Sequence, residues 1–253
     1  PGVTATLDRG TASLRGVGFE ARSGWLTSPT FGGASWLAHA TLQSGLWVSG
    51  QRRYDQLMRA DRLTLTGAFG KAGWRTVLQV PANERPWPEG QRFYRADQVY
   101  GAGDVGYAGP DFGYATMPDQ FTLAALHRLE LSRPAADGRP VMAEVDLLSS
   151  HYPWAPLPRL VPWNQVGDGS VFRGMPEQGP TGDDVIGDGA ALRRGYGAAV
   201  SYSLDSLISY VTEHPDPDLV LVVLGDHQPI ADVSGAKAER QVPVSIVAHD
   251  PAV

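Results

Sequence analysis

Six apolar residues in a row, Leu219-Val220-Leu221-Val222-Val223-Leu224, constrain this chain more than any other feature. They follow the breaker His214-Pro215-Asp216-Pro217-Asp218 and show no polar alternation. A strand with one wet face alternates, whereas a strand buried on both faces does not, and burial on both faces is the habit of parallel sheets covered by helices. The run therefore predicts a central parallel strand. Three other aliphatic or β-branched stretches predict companions: Thr76 to Val80, Val141 to Leu148 and Pro243 to Ala248.

Helical stretches alternate with these strands: Val3 to Gly16, Ser35 to Ser44, Tyr54 to Lys71, Gln120 to Leu131, and a long one from about Ala190 to Glu213. In the last, Tyr196, Val200, Leu204, Leu207 and Val211 recur at the three- and four-residue steps of an amphipathic helix. The expected fold class is α/β, a mostly parallel central sheet with helices on both faces. The 253 residues suit one domain spanning 1–253. The 30 Gly and 20 Pro divide it into short elements, with loops expected at 81–92, 101–118, 133–140, 153–190 and 228–242.

Charge and composition narrow the function. A net charge of −6, with 21 Lys and Arg scattered along the chain, argues against a nucleic-acid partner, since phosphate-backbone binders carry basic surfaces. A small anionic substrate stays compatible, because one bound cation sets the local field whatever the net charge. With no cysteine, any metal must be held by oxygen and imidazole ligands. No apolar run approaches the ~20 residues that cross a bilayer, so the chain itself is expected to be soluble.

In α/β sheets ligands gather beyond the carboxyl ends of the strands. Directly after the 219–224 run comes Gly225-Asp226-His227-Gln228-Pro229, an oxygen donor and an imidazole side by side, suited to a divalent metal. The competing reading is an Asp that closes a turn and a His that caps it. After the 141–148 strand comes Ser149-Ser150-His151-Tyr152-Pro153-Trp154, where His151 is placed to touch an anionic substrate. Equally, these residues could satisfy backbone groups and pack the loop. The third candidate is Ser28 to His39, a Gly-rich turn leading into a helix that starts at Ser35. A helix N-terminus stabilises an alkoxide and phosphate or sulfate oxygens, which makes Ser35 a candidate nucleophile with Gly33 and Trp36 beside it. The competing reading is an ordinary N-cap serine. Trp36 and Trp154 would line the pocket. His127 and His214 read as surface helix residues and His249 as part of a strand-end turn. Asp97, Asp104, Asp111 and Asp119 lie in a Gly-rich region without the spacing of a calcium loop.

The three candidates together carry a family resemblance. Val3-Thr4-Ala5-Thr6-Leu7-Asp8 through Gly16-Val17-Gly18-Phe19 resembles the sulfatase segment T-P-N-L-D-x-L-x-x-x-G-x-x-F. Ser35 to Gly45 reads S-W-L-A-H-A-T-L-Q-S-G. It is similar in spacing to the sulfatase C-x-P-S-R-A-A-L-L-T-G and to the nucleotide pyrophosphatase T-F-P-N-H-Y-S-L-V-T-G, whose first residue is the nucleophile. Ala72-Gly73-Trp74-Arg75-Thr76 resembles the A-G-Y-x-T step before a core strand, and Gly225-Asp226-His227 the S-D-H metal motif. His151 resembles a substrate-contacting His of sulfatases and lipoteichoic-acid synthases. The chain is thus identified as resembling a sulfatase-like domain of the alkaline-phosphatase superfamily.

That resemblance implies one divalent ion (Mn, Mg, Ca or Zn) on Asp226, His227 and Ser35, with His151 and His39 assisting catalysis. It also implies a first strand ending in an acidic ligand, which here would lie before Pro1, and a domain truncated at both ends. Sulfatases that mature Cys or Ser to formylglycine need Pro and Arg two and four positions on, where this chain has Leu37 and His39. The resemblance therefore implies phosphate esters before sulfate esters, through a covalent intermediate on Ser35. The implied substrate is a small anionic ester, lipid- or glycan-linked, handled by an extracytoplasmic domain of a membrane-anchored protein. Two alternatives stay open: a true sulfatase, and a non-catalytic sulfatase-like binding module.

Overall fold

The computed structural model describes residues 2–132 and 138–249. In chain order it forms α1 (Val3–Gly16), β1 (Glu20–Thr27), α2 (Ser35–Ser44), α3 (Gln51–Leu57), α4 (Leu65–Lys71), β2 (Arg75–Gln79), α5 (Pro88–Tyr94) and β3 (Gln98–Tyr100). There follow α6 (Asp119–Leu126), β4 (Val141–Val145), α7 (Gly182–Ile186), α8 (Gly189–Glu213), β5 (Val220–Leu224), α9 (Ala231–Ser234) and β6 (Gln241–Ala248).

The strands form two three-stranded sheets instead of one. β3, β2 and β4 are parallel with β2 in the centre, while β1, β6 and β5 are antiparallel with β6 in the centre. The expectation of a mostly parallel sheet holds for the first and is corrected for the second. The six-residue apolar run is likewise not central: β5 is an edge strand among the described residues, and Val220 and Val222 are 61% and 58% exposed. The strand buried on both faces is β2, Arg-Thr-Val-Leu-Gln, whose polar residues escaped an apolar-run criterion. They are buried because they are paired. Thr76 N–H and hydroxyl meet Asp97 Oδ2, and Gln79 Nε2 donates to the Thr122 carbonyl at 2.9 Å.

The helices follow the expected ranges with two changes. The stretch from 54 to 71 is interrupted between α3 and α4, where the Thr64 hydroxyl caps α4 by accepting from Gly67 N–H at 3.0 Å. The stretch from 120 to 131 is α up to Leu126 and then a π-helical turn over His127–Leu131. Asp188 is the N-cap of α8, its side chain accepting from Ala190 N–H at 2.8 Å. The buried residues of α8 are Leu192, Ala199, Tyr202, Ser206, Tyr210 and Val211, a face rotated from the predicted one. α8 packs closely against α1, where Ile208 of α8 occupies the space that a side chain at Gly10 of α1 would need. The expected loops at 81–92, 101–118, 153–190 and 228–242 carry short helical turns and α5, α7 and α9; of 133–140, residues 133–137 lie outside the described residues.

His127 and His214 are not independent surface residues. Their rings stack with centroids 4.1 Å apart, His127 Nδ1 lies 3.1 Å from the Tyr210 hydroxyl, and Trp163 meets His214 edge-on. Burial, then the neighbouring His214, holds the His127 pKa below its usual 6.5. The unfolded chain therefore takes up the proton first as pH falls, so this contribution to stability is present above about pH 6.5 and lost below it. Thermal melts between pH 7.5 and 5 are expected to show a falling Tm, with a shallower slope in His214→Phe; an unchanged slope would contradict the pairing.

Candidate active site

Around Ser35 the backbone adopts three consecutive positive φ angles, Gly32 at 71°, Gly33 at 153° and Ala34 at 64°. Glycine accepts this at little cost, but Ala34 in the left-handed region is strained and must be held by its surroundings. It is held by cross-links to the loop after β5: Gly32 N–H donates to the Gln228 carbonyl at 2.9 Å, and the Ser28 hydroxyl to the Asp226 carbonyl at 2.6 Å. The consequence for Ser35 is specific. Ala34 is the N-cap of α2 and Ser35 the first helical residue, so the hydroxyl is not used for capping. It turns instead to His227, with Oγ 3.3 Å from Nε2.

His227 is oriented from both sides. Its backbone N–H donates to Asp226 Oδ1 at 2.9 Å, and Nδ1 lies 2.8 Å from the Gln228 carbonyl. A carbonyl only accepts, so Nδ1 carries a proton, which leaves Nε2 as the lone-pair nitrogen of the neutral ring. That lone pair faces Asp226 Oδ2 at 3.3 Å as well as Ser35 Oγ. A ring nitrogen and a carboxylate oxygen so close call for positive charge between them, which a proton on Nε2 or a bound cation supplies. The donor set is one nitrogen and two oxygens, each oxygen 3.3 Å from the nitrogen, and those residue types fit a divalent metal.

A second group lies on the same face of α2. Ser35, His39 and Gln43 follow at four-residue steps and so line one side of the helix. His39 Nδ1 is 2.7 Å from Glu144 Oε1 and 3.5 Å from Asp146 Oδ1. Gln43, buried, donates to the other oxygen of Glu144 and accepts from the Thr66 N–H and hydroxyl at 3.0 Å each. Glu144 and Asp146 share a face because they are two residues apart at the end of β4, where Asp146 N–H continues the ladder to the Gln79 carbonyl at 2.9 Å. Burial alone would lower the His39 pKa, but Asp146, Glu144 and Asp226 raise it to about 10, leaving an imidazolium. Burial raises Asp146 to about 6, against the pull of His39 and with a push from Glu144 and Asp226. His39, Glu144 and Asp146 are the one group of three acidic or imidazole side chains among the described residues with donor atoms close enough to share a metal ion.

The other predicted residues are placed as follows. Gly33 has open space around its Cα. Trp36 is half exposed and its indole donates to Gln51 Oε1 at 3.0 Å. Trp154 is corrected from pocket wall to core: it is 4% exposed, packs with Val185, Leu192, Ala199 and Tyr196, and its indole donates to the Ser150 carbonyl. His151 stacks on Tyr114 with ring centroids 3.6 Å apart, and its Nδ1 lies 2.7 Å from the Tyr152 carbonyl. Among the described residues no hydrogen bond or ion pair joins it to Ser35, Asp226 or His227. Its loop is anchored by Asp119, fully buried, which accepts from Ser149 N–H at 2.9 Å and the Ser203 hydroxyl at 2.6 Å. The acidic residues of the Gly-rich region do not converge: Asp97 pairs with Arg139 and Asp104 accepts from Gly101 N–H. His249 stands edge-on to Phe19. Sequence reasoning missed Glu144, Asp146 and Gln43; the usable signal was the i, i+2 pair of acids at a strand end and the i, i+4, i+8 polar row on α2.

No protein-family model matches the sequence, and no curated protein matches it. Solved structures do. The lipoteichoic acid synthase LtaP of Listeria monocytogenes superposes with a TM-score of 0.65 at 15% identity, over 94% of this chain and 59% of that one. A protein in the alkaline phosphatase superfamily from Vibrio parahaemolyticus gives 0.60 at 16% identity, over 94% and 54%. The chain folds like alkaline-phosphatase superfamily proteins. The phosphoglycerol transferase GacH of Streptococcus pyogenes, solved with sn-glycerol-1-phosphate, gives 0.59 at 12% identity, over 96% and 74%. The C-terminal periplasmic domain of Escherichia coli EptC, solved with zinc, gives 0.56 at 14% identity, over 94% and 65%. The chain thus spans little more than half the length of the first two. No helix among the described residues is long and apolar enough to cross a membrane.

Proposed function

We propose that this chain is the catalytic part of a divalent-metal-dependent enzyme that transfers or hydrolyses phosphate esters through Ser35. The observation that carries this reading is the convergence of Ser35 Oγ, His227 Nε2 and Asp226 Oδ2, with His227 Nε2 3.3 Å from both oxygens and its Nδ1 proton held by the Gln228 carbonyl. The fold shared with lipoteichoic acid synthase and phosphoglycerol transferase structures supports phosphoryl over sulfuryl transfer.

A divalent ion on these three atoms would supply positive charge, which lowers the pKa of the serine hydroxyl and offsets charge on the substrate. The chain's own residues do the rest. Glu144, Asp146 and Asp226 place three carboxylates around one imidazolium, His39, a helical turn from Ser35, so an anionic ester needs added positive charge to enter. Gln228 holds the His227 tautomer and Asp226 Oδ1 holds its backbone. Ser35 Oγ attacks phosphorus, the hydroxyl proton leaves to solvent or base, and the ester alkoxide departs with a proton, giving phosphoserine. Water or an acceptor alcohol then attacks the same phosphorus and returns the proton to Ser35. His151, with Tyr114 stacked on its ring, serves as substrate contact from the neighbouring loop, and Trp36 and Gly33 border the entrance. The substrate class we assign is a small anionic ester on a lipid or glycan, met by an extracytoplasmic domain of a membrane protein.

The test is the purified protein with Mn²⁺ or Zn²⁺ against bis-p-nitrophenyl phosphate and p-nitrophenyl sulfate. Phosphodiester cleavage is expected to exceed sulfate cleavage by at least ~10-fold and to stop with chelator. Dominant sulfate cleavage would replace this reading with a sulfatase. Turnover of neither would favour a binding module.

A further inference from the structure

We infer that His39, Glu144 and Asp146 form a second divalent-cation subsite, one helical turn along α2 from Ser35 and distinct from the Asp226–His227 pair. The donor atoms come from two elements far apart in sequence, α2 and the end of β4, and all lie within 4.8 Å of one another. Ligands on one tetrahedral ion with bonds of about 2.0–2.2 Å stand roughly 3.3–3.6 Å apart, so His39 Nδ1 and Asp146 Oδ1 at 3.5 Å already have the required separation. Glu144 Oε1, at 2.7 Å from Nδ1, needs to withdraw by less than an ångström.

A second observation points to a ligand. Asp146 Oδ1 is sealed from solvent and receives no hydrogen bond. The nearest positive group, His39 Nδ1 at 3.5 Å, is beyond good hydrogen-bond distance, and a cation that displaces the His39 proton and sits between the two atoms satisfies the carboxylate oxygen while using the freed nitrogen lone pair. Two carboxylates and one imidazole suit a borderline ion such as Zn²⁺ or Mn²⁺ and leave a coordination position open. Gln43 acts behind this set by fixing the second oxygen of Glu144. The helical spacing puts the two subsites about 6 Å apart along α2, wider than the roughly 3.5–4 Å of a shared two-metal clamp, so each cation acts on its own. This subsite does not depend on Ser35 being a nucleophile.

Metal stoichiometry tests it. Zn²⁺ is titrated by calorimetry into metal-free purified protein, and bound metal is counted by mass spectrometry. Wild type is expected to bind two equivalents, the Glu144→Gln/Asp146→Asn double variant one, and Asp226→Asn one. The equivalent lost in the double variant should weaken by ~100-fold or more. His39→Gln provides a second route should the double variant fail to give the wild-type circular dichroism spectrum. A wild type binding a single equivalent that Asp226→Asn abolishes overturns the subsite, as does a stoichiometry that the double variant and His39→Gln both leave unchanged. One equivalent that survives Asp226→Asn but not the double variant upholds this subsite while removing the metal from the reading proposed above.

Discussion

Replacing Ser35 by alanine is expected to lower phosphodiester turnover by a factor of ~10³ or more while leaving thermal stability almost unchanged. The two halves of that expectation come from one structural fact. An N-cap serine replaced by alanine costs a helix about 1 kcal/mol, but Ser35 is not the cap, because Ala34 holds that position in a left-handed conformation. The hydroxyl is hydrogen-bonded to His227 Nε2, at 3.3 Å, and its removal leaves the α2 backbone bonds in place. Loss of a nucleophile removes the covalent route altogether, so residual activity would come only from substrate positioning and electrostatics. The assay is initial rate on the phosphodiester at saturating metal, beside a melting curve. Mass spectrometry of quenched wild type should find phosphate on Ser35. Activity within tenfold of wild type, with no phosphoserine trapped, would refute the nucleophile assignment.

Ser35 and the Asp226–His227 pair were legible because each is local. A Gly-rich turn before a helix and an Asp-His pair after an apolar run are visible within about ten residues of sequence. The His39 partners were not, since Glu144 is 105 positions from His39 and only the fold brings β4 to α2. The sheet shows the same limit. An apolar run names a strand but not its neighbour, and β5 finds β6 running the other way, which puts it at an edge. β1 was invisible because Glu-Ala-Arg-Ser-Gly-Trp-Leu-Thr neither alternates nor runs apolar, and most of it is exposed. β2 was found as a strand but not as the most buried one, because Thr76 and Gln79 are paid for by partners 21 and 43 positions away. Trp154 was judged by its place in a loop, and burial of that loop against α7 and α8 turned it inward. Hydrophobic pattern thus reports which segments are regular, while the partners of polar residues decide which of them is central.

The largest loss of stability is expected far from the site, from Glu130→Ala, at about 3–5 kcal/mol. Glu130 lies in the π-helical turn after α6 with its side chain 3% exposed. It accepts from two nitrogens of Arg75, one of them at 2.7 Å, and from the Tyr100 hydroxyl at 2.7 Å. It therefore joins the start of β2, the end of β3 and the α6 turn. Truncation leaves a guanidinium 26% exposed without its carboxylate and a tyrosine hydroxyl without its acceptor. Burial tends to raise the Glu130 pKa, but hydrogen bonds from Arg75 and Tyr100 hold it below its usual 4.5. A depressed carboxyl pKa contributes stability that is present above the unfolded value and lost as pH falls through the folded one, so the variant's deficit should shrink in acid. Urea unfolding at pH 7 and pH 4 measures both effects. The pair need not be strongly favourable in itself, because desolvating both charges offsets most of their attraction, and the decisive comparison is the double variant Arg75→Met/Glu130→Met. If the cost of Glu130→Ala comes from the orphaned charge, the double variant should be more stable than either single one; additive losses would show instead that packing, and not the uncompensated guanidinium, sets the penalty.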